Sequence, residues 1–217
     1  MTSEATPKQP LHQSENSKFH WLFAGDVACR RKPYDSPIME SENFVVLPSL
    51  GSIVPGWLLV VPKWPTTRIA DIGIGKRGEF ESLVAKSRAF IEQVYGECFM
   101  FEHGGYSGSL ISCGVDQAHL HVVPLDFDLI EKARIAKDIN WEMSDSRLLP
   151  YDFAGQREYW YASSSNGSIF GEVAEPESQW FRKLIAENAG LSKMWNYKEF
   201  EFAENIQHTI TAMEVHG

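Results

Sequence analysis

Two histidines stand two residues apart in the segment GVDQAHLHVVPL (114–125), and a glutamine precedes them at the same spacing. In a β-strand successive side chains point to opposite faces, so Gln117, His119 and His121 share one face and the aliphatic residues between them share the other. A neutral imidazole is a good nucleophile near neutral pH, and a second imidazole beside it can donate a hydrogen bond or a proton. The Gly- and Ser-rich segment 105–114 can surround a phosphate with backbone N–H groups. This combination predicts nucleophilic catalysis at phosphorus.

Two other interpretations of the histidine segment are open at this point. A buried strand can hold imidazoles that only make local hydrogen bonds and have no further role. A His-x-His strand can also supply two metal ligands, but a third would have to come from Glu102 or His103, and no other ligands cluster nearby. The three cysteines are far apart and form no CxxC pair, so they do not indicate a zinc site. No metal and no cofactor are therefore expected.

The composition limits the partners of the protein. The chain has 217 residues, 43% of them apolar, and a formal charge of −9. This charge argues against binding nucleic acid through phosphate neutralisation, although a local basic pocket can still hold a small anion. No run reaches the roughly 18 apolar residues of a membrane span, and residues 1–18 are polar with no apolar signal core. We expect a cytoplasmic protein with a disordered tail over residues 1–18, no membrane contact and no nucleic-acid partner.

Hydrophobic patterning predicts strands that are interrupted by helices. Strands are predicted over 41–48, 57–62, 97–104 and the histidine segment, and helices over 75–97 and 127–140. The first two strands are expected to pair antiparallel through a loop longer than a tight hairpin. Further on, the patterns predict a strand over 158–164, a turn at Asn166-Gly167-Ser168 and a helix over 176–191, whereas 195–209 has no clear period. The pattern is typical of an α+β fold with a largely antiparallel sheet.

Three neighbouring motifs together resemble the histidine-triad (HIT) superfamily of nucleotide hydrolases and transferases. In the HIT signature three histidines alternate with hydrophobic residues, and here Gln117 takes the first place, His119 the middle and His121 the last. PGWLLVVPK (55–63) resembles the Pro-Gly, hydrophobic strand, Pro-Lys segment of the family, and FEHG before the Gly/Ser loop resembles its strand that approaches the phosphates. The resemblance covers roughly residues 40 to 125.

The resemblance implies a fold, a reaction and an assembly. The fold would be HIT-like, a mainly antiparallel sheet with two helices, in a catalytic domain over 19–150 with a C-terminal extension over 151–217 packed on it. His119 would attack the α-phosphate of a nucleotide conjugate and form a nucleotidyl-histidine, while His121 contacts the phosphoryl oxygens or the leaving group. Hydrolysis would release a nucleoside monophosphate; transfer to phosphate or a sugar phosphate, by a nucleotidyltransferase or phosphorylase, is the alternative. A homodimer is implied, and the base would lie in an apolar cleft near Phe44 and the 53–54 loop.

Six further residues are candidates for binding substrate or phosphate. They are Lys63, Glu102, His103, Ser112, Gly114 and Arg182. Arg182 lies on a predicted helix, where it would be either a fixed cation in the site or an exposed, solvated side chain. Gln117 departs from the triad and cannot take up a proton, which motivates a rival from another class, a nucleotide-binding protein with weakened catalysis. The substitution Gln117→His is the test that separates the two hypotheses.

Overall fold

The computed structural model describes residues 19, 21–24, 33–105, 117–153 and 157–217. The strands are β1 Met39–Glu40, β2 Phe44–Pro48, β3 Leu58–Pro62, β4 Cys98–Gly104, β5 Leu120–Pro124, β6 Trp141–Ser144, β7 Tyr159–Ser164 and β8 Gly167–Glu172. The helices are α1 Trp21–Ala24, α2 Ile74–Val94, α3 Leu129–Ala136, α4 Trp180–Asn188 and α5 Ala203–His216. Short 3-10 turns lie at Pro33–Asp35, Ile69–Asp71 and Pro150–Asp152.

All eight strands join one sheet in the order β1-β2-β3-β5-β4-β7-β8-β6, and every neighbouring pair is antiparallel. The predicted α+β class with a mainly antiparallel sheet is therefore confirmed. β5, which carries the second histidine, lies between β3 and β4, with His121 opposite Leu59 on one side and Phe101 on the other. The predicted extension contributes β7 and β8, and β7 pairs with β4, so strands from both sides of residue 150 share the sheet.

The two faces of the sheet carry different layers. The first face packs against α2, through sheet residues such as Val60, Met100, Leu120 and Val122 and helix residues such as Phe80 and Ile91. The second face packs against α3 and α4 over β4 and β7, and against Phe19 and Trp21 over β2 and β3. Because side chains alternate along β5, Leu120 and Val122 enter the first core and His121 projects to the second face.

The helices begin and end where local signals place them. In α2 the buried side chains follow the predicted spacing of three and four residues, and the chain turns away at Gly96, whose φ of +99° suits glycine. Asp128 caps α3 by accepting hydrogen bonds from the backbone N–H groups of Ile130 and Glu131. No helix in these described ranges is long and apolar enough to span a membrane.

The helix α5 was not predicted, and its contacts explain why. Only two of its side chains, Ile206 and Thr209, are buried, which is too few to produce an apolar period. Polar contacts hold it as well: Thr209 Oγ1 accepts a hydrogen bond from the backbone N–H of Gly56 at 2.7 Å, and Asn205 Nδ2 donates to the carbonyl of Ser52 at 2.8 Å. The helix α5 thus fixes the loop between β2 and β3 by hydrogen bonds that leave no hydrophobic pattern.

Candidate active site

His119 lies immediately before β5 and is 9% exposed. Its Nδ1 is 2.8 Å from the backbone carbonyl oxygen of Gln117. Because a carbonyl only accepts hydrogen bonds, Nδ1 carries the hydrogen, and in the neutral ring Nε2 carries the lone pair. The backbone carbonyl therefore selects the tautomer in which Nε2 is the nucleophilic nitrogen.

His121 has the opposite tautomer. The indole N–H of Trp57 donates to His121 Nδ1 at 2.9 Å, and an indole nitrogen is only ever a donor. His121 Nδ1 is therefore the acceptor, and in the neutral ring the hydrogen lies on Nε2. The rings of His119 and His121 are adjacent, with centroids 4.8 Å apart and planes at 68°. The pair thus combines one imidazole with a nucleophilic Nε2 and one with a hydrogen-bond-donating Nε2.

Aromatic packing fixes the orientation of both rings. His121 stacks on Phe101, with centroids 4.2 Å apart and planes at 10°, and meets the Trp57 ring edge-on at 5.7 Å. Phe19 contacts His119 with centroids 5.9 Å apart. Close packing of this kind restricts ring rotation, so the two imidazoles are held in position before any substrate arrives.

The side chain of Gln117 is buried and serves the neighbouring segment. Its Nε2 donates to the carbonyl oxygens of Pro62 and Trp64, both at 2.9 Å, and its Oε1 accepts from the N–H of Thr66 at 3.5 Å. The next residue, Ala118, adds a backbone hydrogen bond from its N–H to the carbonyl of Thr66 at 2.6 Å. The carboxamide therefore fastens the segment after β3 to the histidine segment, while its backbone carbonyl orients His119.

Glu102 lies on the opposite face of the sheet from His121. Its carboxylate accepts hydrogen bonds from the Ile69 N–H at 2.8 Å and from the Tyr159 hydroxyl at 2.5 Å. Complete burial raises the pKa of Glu102 from 4.5 to about 8, although both hydrogen bonds oppose this shift. The structure does not bring Glu102 to the histidines; it places this predicted site residue in the core beneath β4.

His103 lies on the same face as His121, two residues beyond Phe101 along β4. Its Nε2 is 2.6 Å from Oε1 of Glu158, and both side chains are buried. The ring meets Trp160 edge-on, with centroids 6.0 Å apart. Glu158 was missed from the sequence, because no local spacing links it to a histidine 55 residues earlier.

Lys63 has its partners in β1 and in the turn that follows β1. Its Nζ pairs with Oε1 of Glu40 at 2.5 Å and donates to the carbonyl oxygen of Ser41 at 2.6 Å. The carboxylate partner is largely exposed, so this is a surface ion pair that fastens the end of β3 to the turn between β1 and β2. Two other predicted residues, Ser112 and Gly114, lie outside the described residues.

Arg182 is buried, which excludes the alternative of an exposed, solvated side chain. Its guanidinium donates to the carbonyl oxygens of Gly51 and Trp195 and lies 4.6 Å from the centroid of the Trp57 ring. Trp57 also donates a hydrogen bond to His121, so the indole contacts both the cation and the imidazole. Arg182 supports the wall of the site through Trp57.

The surface beside His119 on β2 and β3 is apolar. Phe44 itself points to the first face, where it packs against Phe80 with centroids 5.2 Å apart. Its neighbour Val45 lies on the histidine face. There a strip is formed by the side chains Val45, Leu47, Leu59 and Val61, and Phe19 and Trp21 cover it. The apolar cleft expected near Phe44 and the 53–54 loop stays a prediction: this strip is covered by Phe19 and Trp21, and Ile53 packs in the core beside α3 and α4.

Removing the charge of Glu102 is expected to change how stability depends on pH. A carboxyl group whose pKa is higher in the folded state binds more protons folded than unfolded, so the free energy of unfolding falls as pH rises from 4.5 towards about 8. At about 1.4 kcal/mol per pKa unit, the loss is on the order of a few kcal/mol. Glu102→Gln, which resembles the protonated acid, should abolish this loss in urea unfolding measured between pH 5 and 8.

A matched control for this experiment is Glu142→Gln, at an exposed carboxylate on β6. That variant should keep the pH dependence of the wild type. An unchanged slope in Glu102→Gln would show that Glu102 does not carry the effect.

Comparisons with known proteins identify solved structures with low sequence identity to this chain. No family model matches the chain, and no curated protein matches it. A HIT-like protein involved in cell-cycle regulation from Bartonella henselae is 18% identical, covers 52% of this chain and 81% of its own, and has a TM-score of 0.40. A hypothetical protein from Leishmania major is also 18% identical, with coverages of 52% and 75% and a TM-score of 0.41.

A third similar structure spans more of the chain. It is a hypothetical histidine triad nucleotide-binding protein from Sulfolobus tokodaii, 14% identical, covering 79% of this chain and 83% of its own with a TM-score of 0.33. At these identities and TM-scores, the similarities do not establish a function for this chain.

Proposed function

We propose that the protein is a HIT-like hydrolase that cleaves nucleotide conjugates at the α-phosphate through a covalent nucleotidyl-His119 intermediate. The observation that carries this proposal is the hydrogen bond from His119 Nδ1 to the backbone carbonyl of Gln117, which leaves Nε2 as the nucleophilic nitrogen. The adjacent His121, with its hydrogen on Nε2, supplies a donor for a phosphoryl oxygen. The motif resemblance supports a nucleotide as the conjugated group.

The first step forms a bond from His119 Nε2 to phosphorus while the bond from phosphorus to the leaving-group oxygen breaks. The ring then carries a positive charge, and the backbone carbonyl of Gln117 stabilises this charge by accepting a hydrogen bond from Nδ1–H. His121 Nε2–H stabilises charge on a phosphoryl oxygen as the step proceeds. In the second step water bonds to phosphorus, the P–N electron pair returns to Nε2, and one proton is released with the nucleoside monophosphate.

Gln117 does not remove this chemistry in the proposed mechanism. The group that orients His119 is the backbone carbonyl of residue 117, which any amino acid supplies, and the carboxamide has its own partners in the 62–66 segment. The rival hypothesis of a nucleotide-binding protein with weakened catalysis was motivated by the missing titrating group at residue 117, and a turnover measurement separates it from the hydrolase.

A panel of dinucleoside polyphosphates, nucleoside phosphoramidates and nucleotide sugars tests the proposal, with products resolved by mass. We expect release of a nucleoside monophosphate from at least one class. A repeat in the presence of inorganic phosphate distinguishes transfer, because a phosphorylase would release a nucleoside diphosphate. Tight nucleotide binding by calorimetry without turnover on any member would contradict the hydrolase and favour the binding protein.

Two further expectations belong to this proposal. The resemblance implies a homodimer, which sedimentation of the purified chain tests. We also keep the proposal of a cytoplasmic protein, which fractionation of the source cells tests.

A further inference from the structure

Trp57 is held rigidly against His121. It has no exposed surface and lies directly before β3. The Arg182 guanidinium lies 4.6 Å from its ring centroid, and the Phe101 ring meets it edge-on at 5.8 Å. With one face under a cation and an edge against an aromatic ring, the indole cannot rotate away from His121 without disrupting the core. The hydrogen bond from its N–H to His121 Nδ1 is therefore a fixed feature of the site.

This hydrogen bond determines which protons His121 can exchange. Adding a proton at Nδ1 would set two N–H donors against each other at 2.9 Å, and the Arg182 cation behind the indole further disfavours a positive imidazole. Losing the Nε2 hydrogen while Nδ1 stays unprotonated would produce an imidazolate anion. His121 is thus restricted to its neutral form, in which it donates a hydrogen bond but does not transfer a proton.

Among the residues that the structure describes, the groups around His121 offer no simple replacement acid. Across β5 it faces Leu59 on β3 and Phe101 on β4, which do not titrate. His119 is 4.8 Å away and is consumed as the nucleophile. The other imidazole on this face of the described sheet is His103, whose Nε2 is paired with Glu158.

We propose that Trp57 makes His121 a hydrogen-bond donor that is not a general acid, and that the site therefore takes nucleotide conjugates whose leaving group departs as a stable oxyanion. This inference rests on the proposed function and names its substrate class: phosphoanhydrides, whose leaving group is a phosphate or a nucleotide. As the P–O bond breaks, its electron pair stays on the departing oxygen and no proton moves. An amine leaving group, as in a phosphoramidate, requires a proton and is therefore a poor substrate.

A series of nucleoside 5′-monophosphate aryl esters, with phenols of graded acidity, tests the proposal. Without a general acid, the rate of adduct formation should fall by roughly fivefold or more for each unit of leaving-group pKa, following Brønsted behaviour. Trp57→Phe keeps an aromatic ring but removes the N–H donor, so His121 can take up a proton at Nδ1 and act as an acid. In this variant we expect the dependence on leaving-group pKa to become distinctly shallower and phosphoramidate cleavage to rise relative to phosphoanhydride cleavage.

Nitrogen-15 NMR of the histidine rings gives a readout that does not depend on activity. In the wild type the His121 ring should stay neutral with its hydrogen on Nε2 between pH 5 and 8, and in Trp57→Phe it should take up a proton at Nδ1 within this range. A His208→Gln variant, at an exposed imidazole on α5 outside the site, is the control, and its leaving-group dependence should equal that of the wild type. A shallow dependence in the wild type, or a wild-type His121 that protonates in this range, overturns the inference while leaving the hydrolase intact. If no ester or anhydride is cleaved, the proposed function itself fails, and with it the substrate class.

Discussion

Replacing His119 by alanine is expected to eliminate the covalent nucleotidyl adduct and to lower turnover by a factor on the order of 10⁴. The imidazole supplies the atom that bonds to phosphorus, and alanine leaves only direct attack by water. The experiment mixes enzyme with a nucleotide substrate labelled at the α-phosphate, quenches under conditions that preserve phosphoramidates, and measures label and mass on the protein. The wild type should gain one nucleotidyl group per chain, and His119→Ala none.

A histidine outside the site provides the control for labelling. His208 is exposed on α5, where its Nδ1 lies 3.1 Å from the Tyr95 hydroxyl, and His208→Ala should label like the wild type. Calorimetry with a nucleoside monophosphate should show that His119→Ala still binds, which separates loss of chemistry from loss of folding. Equal labelling of wild type and His119→Ala would refute the assigned nucleophile. Turnover by a wild type that never labels would refute the covalent route.

Replacing Gln117 by glutamate is expected to cost about 3 kcal/mol in the free energy of unfolding at pH 7. The Nε2 group of the carboxamide donates to the carbonyl oxygens of Pro62 and Trp64. In the glutamate variant a carboxylate oxygen, which cannot donate, would take the place of Nε2 beside these two oxygens. The two buried carbonyl oxygens then lack a hydrogen-bond donor, and their dipoles repel the negative charge of the carboxylate. Each of these effects costs on the order of 1–3 kcal/mol. Urea unfolding measures the loss, which should shrink as pH falls because protonated glutamate regains one donor.

Gln117→His is the informative companion to that variant. A neutral imidazole offers one donor, so it cannot reproduce the two hydrogen bonds to the carbonyls, and we expect lower stability without a gain in turnover. The backbone carbonyl that orients His119 is the same in both proteins. A substantial rise in turnover in Gln117→His would instead show that a titrating group was missing at this position, and would support the weakened nucleotide-binding protein.

Strand alternation was sufficient to predict that His119 and His121 lie together on one face. The period of two is a local property, and the aliphatic residues between the histidines enter the opposite core as expected. The boundary was less predictable: β5 begins at Leu120, because the segment before it is held by the Gln117 side chain and by a backbone hydrogen bond to Thr66.

The groups that set the chemistry of the two imidazoles could not be predicted in the same way. Trp57 donates to a ring 64 residues later, and Arg182 reaches a carbonyl 131 residues earlier. Such contacts depend on the complete topology and leave no spacing in the sequence. Glu102 and His103 were both predicted as site residues, although adjacent residues on a strand point to opposite faces. Only His103 lies on the histidine face.

Because β7 pairs with β4, β4 is an inner strand, and the edges of the sheet through which copies of this chain could associate lie elsewhere. The outermost strands are β1, with two residues, and β6, with four, so the described sheet has only short rows of unpaired backbone groups. Short outer strands are a known protection against uncontrolled pairing between molecules, and the charged side chain of Glu40 strengthens it at β1. A homodimer of this protein would therefore depend on side-chain packing between surfaces.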